Sequence, residues 1–264
     1  MKLFKLKSLT LAMCLVVFPA LASSAAEVKL WGSTTCQKRF LEPGAKALEE
    51  ATGVKIKVLG VGTGKGMVAL FEGKTNVAIS SNTLEDSVKS AQKVRAEAGL
   101  EPIAVPEGLQ FHTITEDIIV PIVHQDNPVA ALSWDQLSDL NTGKVTNWKD
   151  VGGNDAAVKV ITSHAGSSTK AVFQKMVMKK QEYSPSALEV KSTRLEINEV
   201  SADVGGIGAV SKGFVSLSPG NSKIIKTDTI SRPLGLITIG DPSPDVQKII
   251  DYFLSSEGQK QILD

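Results

Sequence analysis

Short apolar runs alternate with stretches of helical period along most of the chain. The hand-over between them falls repeatedly on a small, hydroxyl-rich turn. Residues 28–31 read as a strand, 40–51 as a helix stopped by Gly53, and 54–61 as a second strand. A helix begins over 67–71, a third strand occupies 77–80, and helical patterning returns over 84–98. Strands alternating with helices predict a mainly parallel sheet covered on both faces, hence an α/β fold.

The second half repeats the design. Residues 117–123 (DIIVPIV) form a longer apolar strand, ended by the polar turn 124–128 (HQDNP). Ser133 is placed to cap a helix over 134–140, and 143–153 reads as a loop. A strand over 158–162 feeds the turn AGSST and a helix over 170–179. Arg232-Pro233 precede another strand at 234–239, and 246–263 is a strongly periodic terminal helix. Two α/β lobes joined by strands near 120 and 230 account for this order. Residues 27–122 and 228–264 then make lobe I, and 123–227 make lobe II. No internal repeat or low-complexity tract interrupts it.

The turns carry the candidate chemistry. They read GSTT at 32–35, VGTGKG at 61–66, SSNT at 80–83 and AGSST at 165–169. A helix N-terminus leaves backbone N–H groups unpaired and carries partial positive charge, and Ser and Thr hydroxyls add donors. Several such ends converging on one point suit an oxyanion without a metal or cofactor. In open α/β sheets that point lies beyond the carboxyl ends of the strands.

The N-terminus adds a compartment. Lys2, Lys5 and Lys7 precede an apolar run over 9–21 and two small-x-small sites, so 1–26 reads as a signal peptide cleaved near Ala22 or Ala26. The run is short for a membrane span. Losing it lowers the basic count from 29 to 26, against 28 acidic residues. Such a balance leaves no footprint for nucleic acid or an anionic membrane, so any anion must be held by local geometry. Cys36 is the single cysteine left, which excludes an intramolecular disulfide. It reads either as a small half-buried residue or as a thiol activated by the helix start.

Other motifs are thinner. Ser167-x-x-Lys170 matches the SxxK of serine acyl-transfer enzymes, but no KTG, SDN or GxSxG accompanies it. Gly62-x-Gly64-x-Gly66 fits neither the dinucleotide nor the P-loop spacing. His112, His124 and His164 are too scattered for a metal motif, and only His164 adjoins an anion turn.

The segments WGSTT, DIIVPIVHQDNPV, LSWDQLSDLNTGKVTNWKDVGG, AGSST with 170–173, ISRPLGLITIG and LSSEGQKQIL occur in this order over nearly all of the mature chain. In them the chain resembles the periplasmic substrate-binding proteins of ABC importers, in the phosphate-binding branch of the type 2 binding proteins. The resemblance implies a two-lobe periplasmic binding protein type 2 fold with a ligand cleft between the lobes. It also implies a monomeric periplasmic receptor, not an enzyme, that delivers an inorganic oxyanion to a membrane permease. Phosphate is the first ligand expected; molybdate, tungstate, sulfate or a small organic anion are alternatives, and a secreted hydrolase centred on Ser167 is a remote one.

Carried over residue by residue, the family's anion loops fall on Ser33, Thr34 and Thr35; on Thr63 and Gly64; on Ser80 and Ser81; and on Ser167, Ser168 and Thr169. His164 stands beside the last. The chain departs from the family where an Asp or Arg is usual. Ser81 and Asn82 hold those places in the third loop, Ser163 replaces the Arg before the fourth, and Ser168 replaces a Gly. This predicts a site built almost wholly of neutral donors, suited to a fully deprotonated anion. VGTGKG also resembles a turn of tungstate-binding proteins, where Lys65 could supply charge.

Overall fold

The computed structural model describes residues 27–164 and 166–263; the signal peptide expected at 1–26 lies outside the described residues. β1 (Glu27–Gly32) leads through the helical turn α1 (Thr34–Cys36) and a wider π-turn (Gln37–Leu41) into α2 (Glu42–Thr52). β2 (Lys55–Gly60), α3 (Thr63–Phe71), β3 (Val77–Ser80) and α4 (Leu84–Glu97) follow. The long β4 (Leu109–His124) carries the chain to α5 (Trp134–Thr142), a 3-10 turn (Trp148–Val151), β5 (Lys159–Ser163) and α6 (Ser168–Met176). Next come β6 (Leu188–Val190), α7 (Thr193–Ala202), β7 (Gly206–Ser211), α8 (Lys212–Leu217) and β8 (Ser222–Ile224). β9 (Ile230–Ile239) returns, and α9 (Pro244–Leu254) and α10 (Ser256–Gln259) complete the described elements.

The strands lie in the order β2-β1-β3-β9-β4-β7-β5-β6, with β8 beside β4. Both ends are parallel, β2-β1-β3 on one side and β7-β5-β6 on the other. The middle is antiparallel, because β9 runs against β3 and β4, and β4 against β7 and β8. The mainly parallel sheet expected from the alternation of elements is therefore mixed: the two connecting strands oppose their neighbours.

Each lobe closes its own core. Phe40, Leu48, Ile249 and Phe253 pack with Leu30 and Ile79 on one face of the first lobe, and Phe40 meets Phe253 edge-on at 5.1 Å. Met67, Leu70 and Ala91 cover the other face. In the second lobe Trp148 sits among Leu137, Leu140, Phe173 and Ile207, and its indole N–H donates to Gly205 O at 2.9 Å. The change of core falls within continuous strands: Ile114 joins the first lobe and Ile119 the second, while on β9 Ile230 belongs to the second and Leu234 to the first. On β4 this precedes the boundary read at 122/123, because the HQDNP turn ends the strand without separating the lobes.

Two further differences have local causes. β4 starts at Leu109 because Gln110, His112 and Thr113 continue the ladder with β9 despite their polarity, with one register shift between Thr113 and Thr115. The terminal helix breaks at Ser255, whose hydroxyl donates to Tyr252 O at 2.7 Å and accepts from Gly258 N at 3.2 Å, starting α10 afresh.

Candidate functional site

The first lobe offers three turns. Gly32 ends β1 at φ +143°, and a Cβ there would lie 2.2 Å from Ile79 O, so glycine alone lets the GSTT turn pass beneath β3. Ser33 caps α1, accepting from Cys36 N at 3.2 Å, and donates to Ser81 Oγ at 2.9 Å. Thr63 Oγ1 accepts from Ser81 N at 3.3 Å and from Ser168 Oγ of the second lobe at 3.1 Å. Ser81 and Thr63 are thus used as acceptors, and among the described residues their own hydroxyl hydrogens remain available to an acceptor in the cleft.

Opposite them, Ser167 caps α6 through Lys170 N at 3.4 Å, which sets Ser168 and Thr169 in the first turn. Ser192 caps α7 in the same way through Leu195 N. These ends surround a cavity of about 840 Å³. Ser33, Thr34, Thr35, Thr63, Ser81, His164, Ser167, Ser168 and Thr169 all line it. Ser168 with Thr63, and Lys175 with Asp86 at 2.6 Å, join the two lobes.

Gly64 and Ser80 are not brought to the cavity wall. Gly64 turns towards α4, where a Cβ would lie 2.6 Å from Ser90 O, so it serves the contact of two helices. Ser80 is fully buried, with its hydroxyl 2.6 Å from Ser87 Oγ and accepting from Asn82 N at 3.0 Å. The alternation along β3 and its turn sends Ser80 inward and Ser81 to the cleft.

Ser163, read from the resemblance as standing in the place of an Arg, lines the wall at the end of β5. The wall also includes residues that the reading of the turns did not reach, Lys38 and Glu42 on the first lobe and Lys191, Ser192 and Arg194 at the start of α7. A Ser three residues before Leu195, opening a helix, was the available signal. Lys38 pairs with Glu42 at 2.6 Å. Lys65, Lys191 and Arg194 have no ion-pair partner among the described residues. The cleft is therefore not purely neutral: hydroxyl donors form its floor and cations its rim.

Local environments sort the titratable groups. Burial pushes the Cys36 thiol up to about 12, and its S–H donates to Ser80 O at 3.1 Å, so it is a packed thiol and not an activated one. His164 is exposed at the rim, yet its partial burial lowers its pKa, helped by the cations Lys65 and Lys170 and opposed by Glu189. Its ring is neutral at pH 7, with one nitrogen donor and one acceptor. Glu196 on α7 is buried, and burial raises its pKa to about 8. Asn82, also buried, has neither amide atom hydrogen-bonded among the described residues. Lys170 lies 2.7 Å from Glu189 and over the Tyr183 ring at 5.3 Å, which turns its ammonium away from the role of base to Ser167. No group of three His, Cys, Asp or Glu side chains gathers at metal-binding distance among the described residues.

Behind the floor lies a buried ionic cluster. Asp117 on β4 takes Arg39 Nη1 at 2.5 Å and Ser211 Oγ at 2.6 Å on one oxygen, and Arg232 of β9 on the other. Arg232 Nη2 also reaches Thr35 Oγ1 at 3.3 Å. Arg39 bonds Leu263 O and accepts from Leu263 N, which ties the chain's end to the cleft it helps to line.

Two α/β lobes joined by two through-running strands, with capped helix starts facing each other across the gap, define a cleft protein of the periplasmic binding type. Its family follows from the sequence: residues 20–257 match the family model described as the PBP superfamily domain, and the chain belongs to that superfamily. It is similar to the phosphate-binding protein PstS of Bacillus subtilis strain 168, 24% identical over 194 residues, covering 73% of this chain and 59% of that one. PstS of Staphylococcus epidermidis RP62A is 25% identical over 256 residues, covering 86% and 74%. The chain thus spans less than two thirds of the length of the B. subtilis relative. Among solved structures, a phosphate ABC transporter substrate-binding protein with bound phosphate from Clostridium perfringens superposes with a TM-score of 0.74 at 26% identity, covering 90% of this chain and 98% of the other. An ABC-type phosphate transport receptor from Vibrio cholerae superposes with a TM-score of 0.68 at 23% identity, covering 90% and 100%, a likeness of fold.

Proposed function

We propose that the protein is an extracytoplasmic receptor that captures an inorganic oxyanion, with phosphate first, and presents it to the membrane permease of an ABC-type importer. The observation that carries this reading is the convergence of Ser33, Thr63 and Ser81 from one lobe with Ser167, Ser168 and Thr169 from the other on a single cavity. Hydroxyl hydrogens and unpaired N–H groups at helix starts bind oxygen; Lys65, Lys191 and Arg194 at the rim draw the anion in. The names of the PstS relatives and the phosphate-bound neighbour support the choice of ligand. The lobes divide within β4 between Ile114 and Ile118 and within β9 between Ile230 and Leu234, and these strands serve as the hinge on which a monomer closes. The role is binding and release, and export of the mature chain follows from the leader. Among the described residues no helix is long and apolar enough to cross a membrane.

A second reading, the same receptor for a proton-free anion such as sulfate or molybdate, is favoured by Ser81, Asn82 and Ser163 standing where the resemblance to the phosphate-binding branch implies an Asp or an Arg. A thermal-shift screen against phosphate, sulfate, molybdate, tungstate and small carboxylates separates the two, because a ligand bound only by the folded state raises Tm. Phosphate giving the largest shift supports the first reading; a larger shift with a proton-free anion replaces it by the second.

A further inference from the structure

Phosphate at neutral pH carries a proton that needs an acceptor, and none of the hydroxyl turns provides a carboxylate for it. Glu196 lies just behind the wall. It sits on α7, one turn past the Ser192 cap, and its Oε1 accepts from Ala209 N of β7 at 2.9 Å. Oε2 has no hydrogen-bond partner among the described residues. Ser163, which lines the cleft, is near enough for its hydroxyl to lower the pKa of this carboxyl, without a formed bond. Ser163 therefore stands between a buried carboxyl and the ligand space.

The surroundings of Glu196 are otherwise apolar. Val120 and Ile122 of β4, Ile161 of β5, Val190 of β6, Val210 of β7 and Val215 of α8 pack around α7. The charged group acting on it is Lys170 of α6, which favours the ionised form; in turn the Glu196 carboxylate disfavours ionisation of the buried Tyr183 phenol. Lys159 of β5 is held by Glu199 of α7 and by Asp203 just after it, Glu189 of β6 by Lys170, and Lys212 of α8 and Lys223 of β8 lie nearer solvent.

We propose that Glu196, acting through the Ser163 hydroxyl, sets whether the cleft meets its anion with a donor or an acceptor at this point, and so selects between proton-free and proton-bearing oxyanions. This rests on the oxyanion reading above. With the carboxyl protonated, Oε2–H donates to Ser163 Oγ and Ser163 donates to a bare ligand oxygen. With it ionised, Oε2 takes the Ser163 hydrogen and the Ser163 lone pair faces the ligand, where only an anion bearing a hydroxyl can use it. Burial raises the pKa of Glu196 to about 8, so both forms occur under mild conditions. Glu196 is a positioning residue, and its signature is a pH profile.

The test is calorimetry with phosphate and with sulfate on the mature wild-type chain, E196Q and S163A, from about pH 6.5 to about pH 9.5. Phosphate's own ionisation is common to all three proteins and cancels between them. Through the single bond at stake, the phosphate-to-sulfate affinity ratio of the wild type is expected to rise about tenfold more over this range than that of either variant. Parallel profiles in wild type and E196Q overturn the inference while leaving the oxyanion reading intact. Absence of binding of either anion to folded wild type at every pH overturns both. If E196Q does not fold by circular dichroism, S163A decides: a profile matching the wild type overturns the inference, and a ratio rising about tenfold less upholds it.

Discussion

Asp117 and Arg232 are register partners on β4 and β9, and their side chains close a two-bond ion pair, at 3.0 Å through Nε and 2.8 Å through Nη2, where both strands pass between the lobes. Both are shielded from solvent. Because Arg39 and Ser211 share the same carboxylate, one buried group ties the π-turn before α2, the end of β7 and both connecting strands. The Arg232 bond to Thr35 extends this grip to the first anion turn.

Removing one partner of such a cluster strands the others without solvent. Asp117→Ala is expected to cost about 3–5 kcal/mol of stability, read as a lower urea midpoint, since two guanidiniums lose their shared carboxylate. A change under about 1 kcal/mol, the value of an exposed pair, would mean the cluster is dispensable.

Neighbouring serines separate the site from its support. Ser81→Ala deletes a cleft hydroxyl and is expected to weaken anion binding by about 1–1.5 kcal/mol with little change in Tm. Ser80→Ala deletes a buried hydroxyl bonded to Asn82 N and Ser87, so it should lower Tm and leave affinity nearly intact. Calorimetry and thermal unfolding on both variants check the contrast; reversed effects would misplace the wall.

Arg194 and Lys191 act at longer range. Arg194→Ala is expected to slow association and reduce the dependence of the on-rate on ionic strength, because the rim cations steer the ligand before contact. Stopped-flow measurements at low and high salt show it. An unchanged salt slope would remove Arg194 from the approach path.

Glu196 also leaves a mark on stability. Its folded-state pKa, raised by burial to about 8, lies above the ordinary value of 4.5, so the folded state holds a proton that the unfolded state releases. Stability contributed at this position is present below about pH 4.5 and is lost as pH rises towards about 8, with no further loss above. Relative to the wild type, Glu196→Gln should gain stability across that window and stay level beyond it. Urea titrations at a series of pH values test this; a difference independent of pH would contradict it.

Much of the frame was legible because the turns carry local instructions. Gly32-Ser33, Ser133 and Ser167 each announce a helix start, and the apolar runs at 77–80 and 117–123 have no other use than a buried strand. Residues 188–224 were not read, for a physical reason. α7 interrupts its apolar stripe with Glu196, β7 is short and contains Gly206 and Gly208, and β6 and β8 have three residues each. That gap hid Lys191, Ser192 and Arg194 of the wall, and Glu196 behind it. Likewise, only the fold shows that Ser80 faces inward and Ser81 outward, since both belong to one hydroxyl-rich turn.

The most direct test of the central claim, that the hydroxyl turns of both lobes hold one oxyanion, is isothermal calorimetry of phosphate and sulfate against the mature protein and a variant combining Ser81→Ala with Ser168→Ala. The expected result is one anion bound per chain by the wild type, with affinity lowered at least tenfold in the variant, which lacks one hydroxyl from each lobe. Equal affinities in the two proteins, or no binding of either anion to the folded wild type, would contradict it.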